Sequence, residues 1–303
     1  MRIGFGAPVS GSWATPENLA NVARRAEQLG YHSLWTYQRL LSPVDAAWGE
    51  VYRSVQDPLL PLAYAAAVTS RIRLSVAVVN LPFVSPVVLA KQLATLDILS
   101  GGRVDVGLGN GWSDEEFAAT GASKRRQGRR AEEFIDVLKR AWTDDVLAYE
   151  GEFYRVPRMR MDPKPVQRPH PPILLGAGAE SALRRAGRLC DGWVSSSRVD
   201  PRRLGESVAV VKAAAEQAGR DPATLRLVCR AAVRVRPAGT GERAALVGTL
   251  DQIRSDFDDI AAQGITELFV DLNFDPQIGS PDADPAESIR RADEALDAFA
   301  PPH

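Results

Sequence analysis

Residues 72–112 read IRLSVAVVNLPFVSPVVLAKQLATLDILSGGRVDVGLGNGW and contain one complete folding unit. A β-branched run, Ile72–Val79, breaks at Asn80-Leu81-Pro82. Pro86 then opens a helix-period stretch to Leu99 with an apolar stripe of Leu89, Leu93 and Leu96. A second β-branched run, Val104–Gly107, ends in the glycine-rich loop Gly107–Trp112. Strand, crossover helix and strand in this order specify a parallel pair.

The same alternation continues in both directions. Further strand runs fall at Arg2–Phe5, Ser33–Thr36, Ile173–Leu175, Gly192–Val194, Arg226–Val235 and Glu267–Asp271. Thr15-Pro16-Glu17 supplies an N-cap, an N1 proline and a first-turn acid, and Gly30 stops that helix before the second strand. Pro86, Pro201 and Pro285 stand near other helix starts, and Gly219 and Gly264 near helix stops. Eight βα units in 303 residues predict an α/β fold, a closed (β/α)8 TIM barrel, rather than a doubly wound sheet with a switch point. We read residues 1–303 as a single domain. The fourth and fifth strands lie far apart, separated by a charged helix around Arg129–Trp142 and a Pro- and Arg-rich stretch, so an inserted excursion at about 143–172 is expected to act as a lid.

Composition narrows the function. The formal net charge is −1, which leaves no excess of cations for counterion-release binding, so nucleic acid is not an expected partner. No run is long and apolar enough to span a bilayer and no secretory signal opens the chain, so no membrane partner and a cytoplasmic location are expected. Cys190 and Cys229 are far apart and suggest neither a disulfide nor a thiolate metal site. Arg greatly outnumbers Lys and Ala is abundant, a bias of GC-rich bacterial genomes.

A barrel of this kind builds its site from the loops that follow the strands. His32 precedes the second strand, His170 lies among prolines before the fifth, and His303 ends the chain, so none is placed for catalysis and no metal site is expected. Two glycine-rich loops do follow strands: Gly107-Leu108-Gly109-Asn110-Gly111-Trp112 after the fourth, and Gly176-Ala177-Gly178-Ala179-Glu180-Ser181 after the fifth. Either they bring backbone and a helix N-terminus close to a phosphate, or they only turn the chain tightly. Asn80, at the upper end of the third strand, either bonds a ligand's ring edge or caps its loop. The basic run Lys124–Arg130 is either a solvated helix start or a guide for an acidic group.

Four segments together resemble the luciferase-like monooxygenase family, with its flavin- and deazaflavin-dependent barrel oxidoreductases: GYHSLWTYQRL (Gly30–Leu40), Asn80–Trp112, PKPVQRPHPPILLGAG (Pro163–Gly178) and RRAGRLCDGWVSSS (Arg184–Ser197). The resemblance implies a tricyclic ring near Ala77, Val78, Asn80 and Asn110, a phosphate held by Gly176 to Ser181 (Gly176, Ala177, Gly178, Ala179, Glu180, Ser181), and Trp193 close to the cofactor. It also implies a non-proline cis peptide at Ala77–Val78, as in the deazaflavin members. Where the family carries an acid–histidine pair this chain has Gln38-Arg39, and where some members carry a glutamate it has Trp112. Gln38, Arg39 and Trp112 are thus the candidates at the reaction centre. Arg39 stays protonated, so its expected task is to bind an anionic or carbonyl-bearing small-molecule substrate. A proton would come from Tyr37, Asp45, Glu50, Asp271 or solvent. The expected activity is hydride transfer between coenzyme F420 and a small organic substrate; the alternatives are an FMN-dependent monooxygenase and a cofactor-binding protein without catalysis. A homodimer is an open expectation.

Overall fold

Thr15 accepts a hydrogen bond from the Asn18 N–H and so caps the helix Pro16–Gln28 (α1) in the way its sequence requires. Comparable starts recur around the chain. In this computed structural model, which describes residues 1–45, 48–239 and 242–302, eight strands alternate with helices. The strands are Arg2–Gly6 (β1), Ser33–Thr36 (β2), Arg73–Val76 continued by Val79–Asn80 (β3), Val104–Gly109 (β4), Ile173–Gly176 (β5), Gly192–Val194 (β6), Arg226–Ala232 (β7) and Glu267–Asp271 (β8). All neighbours pair in parallel, β1 meets β8 through Ile3↔Leu268, and β3 meets β4 through Leu74↔Val104, which closes the sheet into the expected (β/α)8 barrel. The outer helices that matter below are Leu60–Val68 (α2), Pro86–Ser100 (α3), Gln127–Thr143 (α4) and Glu180–Leu189 (α5).

Inside the barrel the side chains form layers with different chemistry. Near the strand starts Asp105 and Glu267, both fully enclosed, face Arg73 and Arg226: Arg226 Nη1 lies 2.6 Å from Asp105 and Nη2 2.7 Å from Glu267, while Arg73 reaches Asp105 at 2.5 Å. Burial alone would raise the Asp105 carboxyl, but the Arg226 and Arg73 guanidiniums outweigh it and hold it below the usual carboxylate range. Above this layer Trp35 stacks on Phe269 with centroids 4.6 Å apart, packed with Leu174, Val194 and Val228. The mouth lies above that.

Two expectations need correction. The run Ile72–Val79 is not one continuous strand: it breaks at Ala77–Val78, whose peptide bond is cis as expected, and resumes at Val79. The excursion at 143–172 contributes no residue to the cleft at the mouth, so its action as a lid is not borne out. It forms an antiparallel hairpin, Leu147–Glu150 with Arg155–Met159, that buries Leu147 beside α4 and sets Tyr154 edge-on to Phe134 at 5.8 Å. Beyond the hairpin, Asp97 of α3 accepts the Val166 and Gln167 N–H groups at 2.7 and 2.9 Å, and Gln167 Nε2 reaches the Val104 carbonyl, which draws the segment to the strand-start end. An apolar patch on α4 holds the hairpin along that helix, with Glu152 at the hairpin tip paired to Arg126 at the helix start, and one acceptor on α3 ties 166–167 to the strand-start end.

Candidate active site

At the carboxyl ends of the strands lies a cleft of ≈ 390 Å³. Its base is set by the break in β3, where Val78 is pushed inward between two neighbouring strands. A Cβ on Gly107 would collide with the Val76 carbonyl, one on Gly109 with Val78, and one on Gly176 would come within 2.8 Å of Val78 Cγ1. These glycines are therefore needed for the close approach of three strands. Gly178 differs, since a Cβ there meets nothing within 4 Å and it borders the cleft. Packing thus accounts for Gly107 and Gly109 of the first loop, whereas Gly178 of the second leaves room for a ligand.

That second loop enters α5. Ala179 is the N-cap and has no side-chain hydrogen bond; its carbonyl accepts from Ala182 and Leu183, which leaves the N–H groups at the start of the helix available to an anion. Gly176, Ala177, Gly178 and Ala179 line the cleft. Glu180 and Ser181 are exposed, and the Glu180 carboxylate is taken by Arg184 at 2.6 Å, so these two offer backbone rather than side chains. Trp193 is fully buried and does not line the cleft; its Nε1 donates to the Ala177 carbonyl at 2.8 Å and braces the loop from below.

Ala77, Val78, Asn80 and Asn110 all face the cleft. The Gln38 side-chain oxygen accepts the Asn80 backbone N–H at 2.8 Å, and Asn80 makes no capping bond to the turn after it. Gln38 therefore fixes the end of β3 and leaves the Asn80 amide directed at the space above Val78.

Arg39 does not stand as a free two-pronged cation. Glu116, on the short helix Asp114–Thr120 after β4, meets its Nη1 at 2.6 Å and also accepts the Leu40 N–H at 2.7 Å. The guanidinium carbon lies 4.6 Å from the Trp112 ring centre, 5.0 Å from Trp48 and 5.1 Å from Tyr52. Burial pulls the Arg39 pKa below its ordinary value, with Glu116 opposing, yet a guanidinium remains charged. The sequence carried no sign that Glu116, 77 residues away, would reach it.

Sequence reasoning also missed Arg230 at the upper part of β7. Its Nε donates to Asp271 Oδ2 at 2.7 Å, its Nη1 to the Ala77 carbonyl at 3.1 Å, and its guanidinium carbon lies 4.6 Å from the Tyr37 ring centre and 4.3 Å from that of Phe274. The only signal was a second arginine, in the middle of a strand that begins at Arg226 and is otherwise apolar. Among the candidate proton donors, Asp271 is thus committed to Arg230, Glu50 is exposed and pairs with Arg53 at 2.7 Å, and Asp45 is exposed and outside the cleft. Tyr37 lines the cleft, and burial, aided by Asp271, pushes its phenol well above the ordinary range, so it stays protonated. His32 sits at the strand-start end, 3.9 Å from Glu267; His303 lies outside the described residues. The basic run is largely paired: Lys124 with Asp114, Arg126 with Glu152 and Arg129 with Glu132. Both cysteines are buried, and burial pushes their thiols up to about 12.

The fold class is thus a (β/α)8 barrel with a glycine-bordered cleft at the carboxyl ends of its strands. The profile of luciferase-like monooxygenases matches residues 3–239, and the chain belongs to that family. It is 38% identical over 150 residues to an FMNH2-dependent dimethylsulfone monooxygenase of Pseudomonas putida, covering 48% of this chain and 39% of that one. It is 27% identical over 299 residues to an F420-dependent glucose-6-phosphate dehydrogenase of Kineococcus radiotolerans, covering 97% and 80%. The crystal structure of the monooxygenase RslO1 from Streptomyces bottropensis superposes with a TM-score of 0.78 at 26% identity, over 99% of this chain and 98% of that one.

Proposed function

We propose that this protein is an oxidoreductase that moves a hydride between coenzyme F420 and a small organic substrate. The observation that carries the reading is the cleft itself: a base formed by Val78 under the amide of Asn80, with the open Gly178 side and the free N–H groups of α5 at one edge. Asn80 and Asn110 would hold a ring edge, and Ala177 to Ser181 would hold a phosphate through backbone N–H groups. When bound, the cofactor supplies the hydride donor or acceptor, and the protein's tasks are to orient it and to hold the substrate over it. Arg230 fixes the base of the cleft through the Ala77 carbonyl, and Gln38 fixes Asn80. Reduction of a carbonyl also needs a proton on oxygen as the C–H bond forms; the Tyr37 phenol points to the Val51 carbonyl and burial raises its pKa, so it holds its proton, and solvent reaching the cleft is the source.

The preference for F420 rests on the relative that aligns over nearly the whole chain, including β7 and β8, which bring Arg230, Asp271 and Phe274 to the mouth. The FMN-dependent monooxygenase reading is supported by the higher identity to the Pseudomonas enzyme over half of the chain. Titration of the purified protein with F420 and with FMN, read by cofactor fluorescence, separates them. Tighter binding of F420, followed by bleaching of its absorbance on adding a substrate panel, is the expected result. Preferential FMN binding with oxygen consumption on reduction would move the assignment to the monooxygenase, and binding without turnover would leave a cofactor carrier.

A further inference from the structure

The mouth carries more positive charge than its own carboxylates balance. Arg39 faces Glu116 and Arg230 faces Asp271, but among the described residues Arg198 and Arg234 have no carboxylate within ion-pair distance. Both line a groove of ≈ 290 Å³ directly beside the cleft, and Tyr52, Ser197, Arg198 and Phe274 belong to both spaces, so the two are continuous. Glu50 also borders the groove, but Arg53 already engages it.

The two arginines are held for a task. The Arg198 guanidinium lies 4.1 Å from the Trp112 ring centre, so an exposed and otherwise flexible side chain rests on a fixed aromatic face. Arg234 is anchored through its backbone, which pairs with Val247. The remaining walls are the rings of Trp48, Tyr52 and Phe274 with Val51 and Pro276, beside Gly49, Glu50 and Ser197. Three ring faces in one groove suit a flat apolar body. A guanidinium fork suits a carboxylate.

We propose that this groove is the substrate's tail site, taking a carboxylate on Arg198 and Arg234 and an aromatic or conjugated body against Trp48, Tyr52 and Phe274. The proposal rests on the oxidoreductase reading of the adjoining cleft and assigns that enzyme a substrate class: aryl or conjugated carboxylic acids.

Calorimetric titration at low salt tests it, with cinnamate, cinnamamide and glucose 6-phosphate as probes, on the protein alone and saturated with oxidised F420 or FMN. Cinnamate is expected to bind at least roughly tenfold more tightly than its neutral amide, and Arg198→Gln to remove roughly tenfold of that affinity. Arg234→Gln should remove less, and the double variant should bind acid and amide alike. Cofactor affinity should be unchanged in all three variants. Equal cinnamate binding by parent and double variant would overturn the proposal, as would tighter binding of glucose 6-phosphate than of cinnamate. A loss of cofactor affinity in Arg198→Gln would assign the arginines to the cofactor instead. If cofactor binds and cinnamate does not, the groove proposal falls and the oxidoreductase reading stands; if cinnamate binds and neither cofactor does, the reverse holds.

Discussion

The two ends of the barrel use the same residue types to different ends. At the strand-start end Arg73 and Arg226 face Asp105 and Glu267, two cations to two anions, with both carboxylates buried and bonded by Ser75 and Ser33. At the mouth Arg39, Arg230, Arg198 and Arg234 face Glu116 and Asp271. A charge-balanced cluster has nothing left to offer a ligand, and its removal is felt as lost stability. At the mouth the two arginines without a carboxylate partner, Arg198 and Arg234, are exposed, so water screens them at little cost and they retain charge for a binding partner.

The largest effect should come from the floor. Asp105→Ala leaves Arg73 and Arg226 short of a buried counter-ion, a loss of about 3–5 kcal/mol that urea unfolding would register. Because the Asp105 pKa is depressed in the folded state, its contribution is complete above the unfolded value of about 4 and disappears as the pH falls through the lower folded value. The stability gap between parent and variant should therefore be constant near neutral pH and narrow in acid. A gap that widens in acid would break the comparison at its firmer end.

Gly178→Asp should act in the opposite way. Its Cβ enters open space, so the unfolding midpoint should not move, while bulk and negative charge meet the anion at the start of α5. Cofactor affinity should fall by about 1–3 kcal/mol in a fluorescence titration. Unchanged affinity would place the phosphate elsewhere.

Arg39→Lys sharpens the contrast at the smallest scale. Charge toward Glu116 remains, but the planar contact with Trp112, Trp48 and Tyr52 is lost, for about 1 kcal/mol of stability. Turnover should drop modestly with cofactor affinity intact. A loss as large as that of Asp105→Ala would mean that Arg39 belongs to the framework and that only Arg198 and Arg234 serve the ligand.

The barrel was legible because hydrophobic period and helix punctuation are local: Thr15-Pro16 and Pro86 announce helices that the fold contains. Each of the eight runs supplies a barrel strand, though Ile72–Val79 is broken and Arg226–Val235 leaves the barrel after Ala232, with Arg234–Val235 pairing to Val247–Gly248. Within the site, local signals carried the glycine loops and Asn80. What escaped the sequence was long-range pairing. Arg39 looked free because Glu116 joins it only through a second loop, and Arg230 was invisible because nothing nearby in the chain marks its bond to Ala77, 153 residues away. The 143–172 segment misled for a related reason: a Pro-rich, charged stretch reads as a cover unless one knows that Asp97 and the flank of α4 hold it down.

The six tryptophans divide in the same way as the arginines. Trp13, Trp35, Trp142 and Trp193 are sealed in the core, whereas Trp112 is 39% exposed and has Trp48 at 4.7 Å beside it, with Arg39 and Arg198 against its ring. Exposed indoles emit at longer wavelength than buried ones, so the red side of the emission weights Trp112 over the four core tryptophans, and the native chain carries its own optical reporter of whatever enters, with no label attached.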